Sequence, residues 1–205
     1  MESSLASIKH SPKVFDIRSM PYGVPFAKWT RLWWRWIFSI PKDKNPALDT
    51  TGHYCNAFQP YFNVRFLAGT LGGSVTRNCT IPHGKSLLFP VINYETSFEE
   101  EPFAKTEEQL EAICSSEIDD IIEISASIDG MTIEVKNFRV RSWCFEVTIP
   151  TNNFFGVREG ITKIASDGYW LFIDSLSFGN HVLRSFGSCM SGRIKIGCTY
   201  NLTVI

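Results

Sequence analysis

Residues 121–135 decide the fold class, and they read Ile-Ile-Glu-Ile-Ser-Ala-Ser-Ile-Asp-Gly-Met-Thr-Ile-Glu-Val. Apolar side chains recur at every second position from Ile122 to Ile128, which is the period of a strand with one buried face. Asp129-Gly130 follows, a pair that readily adopts the positive φ values of a two-residue hairpin turn. The stretch therefore predicts two strands joined by a tight turn.

The same pattern continues to the end of the chain. Residues 138–149 alternate again, and residues 193–204 carry an apolar side chain at every second position after the first. Asp167-Gly168 supplies another turn between two apolar runs. The chain from residue 121 onward is therefore predicted to be all-β.

Two further strand regions precede this half. Glycines at 69, 72 and 73 separate residues 64–68 from residues 74–80. Glycines between two strand-like runs are typical of a hairpin turn. Residues 86–92 form a short apolar run of the kind found in buried strands. Pro90 within it predicts an edge or a bulge, because proline cannot donate to the ladder.

One helix is predicted from the run Lys28-Trp-Thr-Arg-Leu-Trp-Trp-Arg-Trp-Ile-Phe-Ser-Ile-Pro41, which holds four of the six tryptophans. Its apolar residues follow the i, i+3, i+4, i+7 spacing of one helix face. Proline suits both ends, because it fits the first turn of a helix and stops a helix further on. We expect a Trp-rich helix over residues 25–40, preceded by an irregular arm over residues 1–24.

A second helix is predicted within an acidic insert over residues 95–120. Glu99-Glu-Glu101 precedes Thr106-Glu-Glu-Gln109, which matches a capping box at a helix N-terminus. Short strands with turn residues, plus two helices, predict a mainly β fold, specifically an antiparallel β-sandwich of jelly-roll or immunoglobulin-like type. At 205 residues and 44 % hydrophobic side chains, we expect a single domain over residues 1–205.

Several functional classes are disfavoured by composition. The net charge of −1 lacks the basic footprint of nucleic-acid binding. The glycine-rich segment at residues 69–73 matches neither a phosphate-binding loop nor a dinucleotide fingerprint, so no cofactor is predicted. Residues 1–24 lack the apolar core of a signal peptide, and no apolar run reaches the roughly 20 residues that span a bilayer. The chain as written is expected to be cytoplasmic, or secreted if it is a mature form.

Several motifs resemble a group of uncharacterised microbial proteins with a β-sandwich-like pattern. They are Trp29-x-x-x-Trp33-Trp34-x-Trp36, Phe66-Leu-Ala-Gly-Thr-x-Gly-Gly73 and Gly84-Lys-x-Leu-x-Phe-Pro-Val-Ile-Asn93-x-Glu95. The likeness covers most of the chain and implies a single domain, and no activity is attached to the group. Many of its members carry a signal peptide, which this chain lacks, so the resemblance favours a disulfide between Cys55 and Cys79 in secreted relatives more than in this chain.

The tryptophan helix has three alternative roles. Its rings could pack into the core, form a platform that stacks on a glycan, or sit at a membrane interface with the interleaved Lys and Arg side chains on anionic headgroups. The leading functional hypothesis is a non-catalytic ligand-binding module, with carbohydrate as the first-guess ligand. Its predicted contacts are exposed aromatic side chains, including the loop over residues 150–160: Trp33, Trp34, Trp36, Tyr54 and Tyr61.

A metal site is a second candidate. His53-x-Cys55 and Cys79-x-x-x-His83 provide ligand types that suit zinc. The same cysteines could instead be linked by a disulfide or stay unlinked, and Cys189 with Cys198 is a further pair that an oxidising compartment would allow.

Two alternatives to the binding module stay open. The first is a hydrolase-like enzyme with an acid/base site in the mouth of the sandwich, formed by His83, His181 and Glu95. The chain has no Gly-x-Ser-x-Gly nucleophile motif. The second is a structural or assembly protein that uses the Trp-rich helix and the acidic residues 99–120 as partner surfaces. The oligomeric state does not follow from the sequence.

Overall fold

The computed structural model describes residues 12–60, 63–189 and 193–205. The protein is mainly β, with 42 % strand and 20 % helix, as the alternating patterns predict. The Trp-rich helix α1 spans Phe26–Ser39, and the acidic helix α2 spans Glu107–Asp119. The strands in chain order are β1 (Val64–Phe66), β2 (Gly73–Ile81), β3 (Ser86–Ser97), β4 (Glu123–Ile128), β5 (Met131–Ile133), β6 (Ser142–Ile149), β7 (Gly160–Ile173), β8 (Gly179–Cys189) and β9 (Ile194–Val204).

The strands form two sheets. A four-stranded sheet has the order β1-β3-β7-β6, and a five-stranded sheet has the order β2-β9-β8-β4-β5. The prediction of a purely antiparallel arrangement is wrong at two places, because β1 pairs parallel with β3 and β2 pairs parallel with β9. In both pairs the chain passes through the other sheet between the two strands, so no hairpin forces them to run in opposite directions.

The four-stranded sheet is buried on both faces. One face packs against the five-stranded sheet, and the other packs beneath α1. Leu87, Leu88 and Phe89 are therefore all inaccessible to solvent although neighbouring side chains point to opposite faces. A strand that is covered twice reads as a continuous apolar run, and this is the pattern at residues 86–92.

The tryptophan rings of α1 belong to the core. Trp34 is only 6 % exposed, and the other three rings of the helix are buried as well. Three indole N–H groups donate hydrogen bonds inside the protein: Trp29 to the Pro21 carbonyl (3.0 Å), Trp33 to the Leu67 carbonyl (2.9 Å) and Trp34 to Ser166 Oγ (2.6 Å). The expectation that these rings are exposed is corrected, because the helix turns its apolar face toward the sheet.

The outer side of α1 presents polar side chains. Lys28, Arg35 and Ser39 are exposed, and the Arg31 and Arg35 guanidinium groups lie over the Phe145 ring at 5.9 and 5.7 Å. Membrane contact through this helix stays a prediction, now without aromatic anchors on the outer side. Among the described helices, none is long and apolar enough to cross a membrane.

The helix α2 begins as the sequence predicts. Thr106 Oγ1 accepts a hydrogen bond from the Gln109 backbone N–H, and the Gln109 side chain accepts one from the Thr106 backbone N–H. Arg139 then ties α2 to the four-stranded sheet, since its guanidinium group donates to Asp119 on α2 and to the buried Asp167 on β7, both at 2.6 Å. This anchoring holds the end of α2 against the far half of β3.

Trp34→Ala should destabilise the protein by about 4 kcal/mol, as expected when a buried tryptophan is truncated. The matched control is Trp143→Ala on β6, whose ring is 63 % exposed and should change the free energy of unfolding by less than about 0.5 kcal/mol. Urea unfolding followed by circular dichroism measures both. Equal effects of the two substitutions would contradict the core assignment.

Candidate functional site

A cavity of about 300 Å³ lies where α1, the loop after β1, the far half of β3 and the helix α2 meet. The ends of β8 and β9 and the loop over residues 150–159 also line it. Three of the segments that carry the resemblance described above contribute to it, through Trp33 and Trp34, through Gly69–Leu71 and through Ile92–Glu95. The cavity is therefore built from elements that are distant in the sequence.

The cavity exists because β1 is short. β1 pairs with Ser86–Leu88 only, so the next part of β3 has no described strand on that side. The register of β3 also shifts between Pro90 and Ile92, which is the irregularity that the proline predicts. Beyond the bulge Asn93 pairs with Gly168, where an added Cβ would lie 2.7 Å from the Asn93 Cα, so only glycine fits.

Two polar side chains enter the cavity from β3. Glu95 is 8 % exposed, and its Oε2 has no hydrogen-bond partner among the described residues. Asn93 lies two residues earlier on the same face of the strand, and its Nδ2 is also buried without a partner in the described part of the chain. A buried polar group that lacks a partner destabilises the fold by about 1–3 kcal/mol. Both atoms therefore lack a described hydrogen-bond partner and belong to residues that line the cavity.

The environment of Glu95 favours its neutral form. Burial raises the pKa of the Glu95 carboxyl well above its usual range, and the nearby Glu100 carboxylate raises it further. Burial also raises the pKa of Glu100, although a hydrogen bond from Ser97 Oγ (2.7 Å) partly offsets this effect. A protonated Glu95 can both donate and accept a hydrogen bond within the cavity.

The walls of the cavity are mostly apolar and rich in rings. Trp33 and Trp34 come from α1, and their centroids lie 5.0 Å apart in an edge-to-face arrangement. Phe154 and Phe155 come from the 150–159 loop with centroids 3.9 Å apart. Since both indole N–H groups already bond within the protein, these rings offer a ligand only carbon and π surface.

The predicted acid/base group of His83, His181 and Glu95 does not come together. His83 precedes β3 and donates its backbone N–H to the Ile205 carbonyl at 2.7 Å, while His181 pairs with Leu202 near the same end of the sheets. Glu95 lies nine residues beyond Ser86 on β3, which is about 30 Å at the usual rise of a strand. An active site that combines the three side chains is therefore excluded by the geometry.

The structure surrounds His181 with partners that the sequence reasoning missed. Its Nδ1 lies 2.7 Å from Asp129 Oδ2, and its Nε2 lies 2.9 Å from the Ser177 carbonyl and 3.4 Å from Ser177 Oγ. A catalytic triad requires a ring nitrogen that is free to take the serine proton. Here that nitrogen faces the carbonyl more closely, so the cluster joins the Asp129 turn to the loop before β8. The Asp-Gly turn motif was the signal that could have located it.

Cys55 and Cys79 form a disulfide, with their Cα atoms 6.0 Å apart. The zinc site predicted from His53, Cys55, Cys79 and His83 is corrected, because both thiolates are consumed by the bridge. No group of three or more metal-ligating side chains occurs within residues 12–60, 63–189 and 193–205. Cys189 and Cys198, the other predicted pair, are free thiols.

The remaining predicted ligand contacts lie away from the cavity or outside the described chain. Tyr54 is half-buried beside the disulfide, its ring 4.7 Å from that of His53, and it does not line the cavity. Tyr61 falls outside the described residues. Trp36 is buried under α1 next to Phe66 and Trp33. A ligand-binding role for Trp33 and Trp34 stays a prediction. Their placement on an exposed platform is wrong, because both rings are buried.

Comparisons with known proteins return no match: no protein family, curated protein or solved structure is similar to this chain.

Reduction of the disulfide should lower the free energy of unfolding by about 3 kcal/mol, the chain-entropy value for a bridge that closes a loop of this length. Urea unfolding with and without dithiothreitol measures the change. The double variant Cys55→Ser/Cys79→Ser serves as control, since it should be destabilised similarly and should not respond to the reductant. A response of the double variant would show that other thiols cause the effect.

Glu95→Gln should stabilise the protein at about pH 8. A carboxyl whose folded-state pKa is raised contributes stability below the unfolded value of 4.5, and this stability is lost as the pH rises toward the folded-state value. Glutamine keeps the shape without ionising, so the advantage of the variant should exceed about 0.5 kcal/mol at pH 8 and vanish below pH 4.5. Unfolding curves across this pH range, with the exposed Glu99→Gln as control, test the sign.

Proposed function

We propose that the protein is a non-catalytic module that binds a small organic ligand in the cavity beside Glu95. The observation that carries the proposal is the pair of buried atoms without described partners, Glu95 Oε2 and Asn93 Nδ2, at the floor of a ring-lined cavity. Concave apolar sites with a few convergent polar groups are the usual form of small-molecule sites. A ligand that forms hydrogen bonds with both atoms would offset the unfavourable free energy of burying them without partners.

The dimensions of the cavity favour a compact ligand. Its volume of about 300 Å³ lies at the lower end of the range for ligand pockets. Aromatic and aliphatic side chains make up most of its walls, and polar side chains interrupt them: Thr70, Asn93, Glu95, Glu100 and Glu117. These features support a ligand that carries a polar group on an apolar or ring-shaped body.

The scaffold of this site is proposed to be a β-sandwich, and the jelly-roll or immunoglobulin-like subtype stays a prediction from the sequence. Carbohydrate likewise stays an untested prediction for the ligand. A polyhydroxylated sugar needs hydrogen-bond partners around its whole rim, whereas aromatic and aliphatic side chains make up most of these walls. The geometry therefore favours a less polar molecule over a sugar.

Ligand-detected NMR against a panel of small molecules tests the proposal. The panel should contain neutral aromatic molecules, organic ammonium ions, aromatic carboxylates and monosaccharides. We expect at least one compact class to bind, and Asn93→Ala to weaken that binding at least tenfold, which is about 1.4 kcal/mol. Asn137→Ala, at an exposed position outside the cavity, should leave the affinity unchanged.

The absence of binding by every class would overturn the proposal. Equal weakening by Asn93→Ala and Asn137→Ala would also count against it, since the bound molecule would then lie elsewhere. Circular dichroism of both variants establishes that each is folded before the comparison is made.

A further inference from the structure

We propose that the ligand of this cavity is an organic ammonium cation, held between aromatic ring surfaces and the carboxyl groups of Glu95, Glu100 and Glu117. The inference rests on the proposed function, and it names the chemical class of the ligand. Three observations carry it: the sign of the charges around the cavity, the nature of its walls and the state of the buried Glu95.

The charged groups at the cavity are all acidic. Glu95 comes from β3, Glu100 from the turn that follows it and Glu117 from α2. Among the described residues that line the cavity, there is no lysine, arginine or histidine. An anionic ligand would therefore meet groups of like charge, whereas a cation would be attracted by their carboxylate forms.

The walls suit a cation that is not strongly hydrated. Ring faces attract cations through their quadrupoles, and this attraction is the usual means of recognising quaternary and other alkylammonium groups. Five aromatic residues line the cavity, on three different elements: Trp33, Trp34, Tyr94, Phe154 and Phe155. A small inorganic cation would instead require several oxygen ligands at short distance, which ring-lined walls do not provide.

Glu95 supplies the observation that does not depend on the acidic cluster as such. Its side chain is more than nine-tenths buried, lines the cavity, and has Oε2 without a partner in the described chain. When a cation binds beside the neutral Glu95 carboxyl, the positive charge of the ligand stabilises the carboxylate form of this side chain. Glu95 then transfers its proton to solvent, and the complex holds an ammonium–carboxylate pair.

Binding should consequently be linked to pH. The phenol and thiol groups around Glu95 stay protonated between about pH 5 and 8. Burial raises the pKa of Tyr94 to about 12, and burial also raises the pKa of the Cys114 and Cys189 thiols. Asp167 on β7 is ion-paired with Arg139 and Arg141. The pH dependence of binding then follows the carboxyls of Glu95 and Glu100, whose pKa values burial raises.

Isothermal titration with choline and with 3,3-dimethylbutan-1-ol, its neutral isostere, tests the inference. We expect choline to bind at least tenfold more tightly than the alcohol, with affinity that rises with pH. Titrations in buffers of different ionisation enthalpy should detect the release of up to one proton per choline. Glu95→Gln should weaken choline binding at least tenfold, remove the proton release and weaken binding of the alcohol much less than that of choline, whereas the exposed Glu99→Gln should change none of these quantities.

Other outcomes overturn the inference in distinguishable ways. Equal affinity for both probes, or choline binding that is insensitive to Glu95→Gln, would reject the cation and leave the small-ligand function standing. Binding of neither probe, together with binding of a neutral aromatic molecule or a carboxylate from the NMR panel, would reject the cation alone. Binding of no molecule in the panel would reject the cation and the proposed function together.

Discussion

The four-stranded sheet needs a cover on each face, and the rest of the structure follows from how that requirement is met. The five-stranded sheet covers one face, and α1 covers the other with its tryptophan rings. Large rings suit this task because one helix has to fill the space above strands about 4.8 Å apart, and each buried ring removes a large apolar area from water. A helix of small residues would leave voids over the sheet.

Hydrogen bonds from the core hold the loop after β1, which lines the cavity. Arg77 on β2 is only 1 % exposed, and its guanidinium group donates to the carbonyls of Asp49, Ala68 and Gly69 and to Tyr200 Oη. Backbone carbonyls satisfy this buried cation in place of a carboxylate. The bonds to Ala68 and Gly69 fix the position of the chain after β1, which forms one wall of the cavity.

Local patterns in the sequence predict the elements, and long-range packing decides their roles. The spacing of the tryptophans predicts α1, and Thr106 with Gln109 predicts the start of α2, because capping and helix faces depend on neighbours within four residues. The burial of Trp33 and Trp34 depends on Leu67 and on Ser166, which are 34 and 132 residues away. A single sequence contains no measure of such contacts, so core, glycan platform and membrane anchor could not be distinguished.

The same limit applies to the site. Glu95 was recognised as a candidate, yet its proposed partners His83 and His181 lie at the other end of the sheets, because the register of β3 and β8 sets their positions. Asn93 and Glu100 were not singled out, since an ordinary Asn and Glu become distinctive only when burial is known. The aromatic loop over residues 150–160 was identified, and two of its rings line the cavity.

At Glu95 the fold buries a polar side chain that lowers its stability. A buried carboxyl without a described partner destabilises the fold, and an apolar side chain would avoid that penalty at the same position. Natural proteins lie above a stability threshold and can retain such a residue where it serves binding. Residues that lower stability are concentrated at functional sites. Glu95 is such a residue, and it lies at a cavity lined by aromatic rings. For this reason we place the proposed function in the cavity and not on the exposed surface of the sheets.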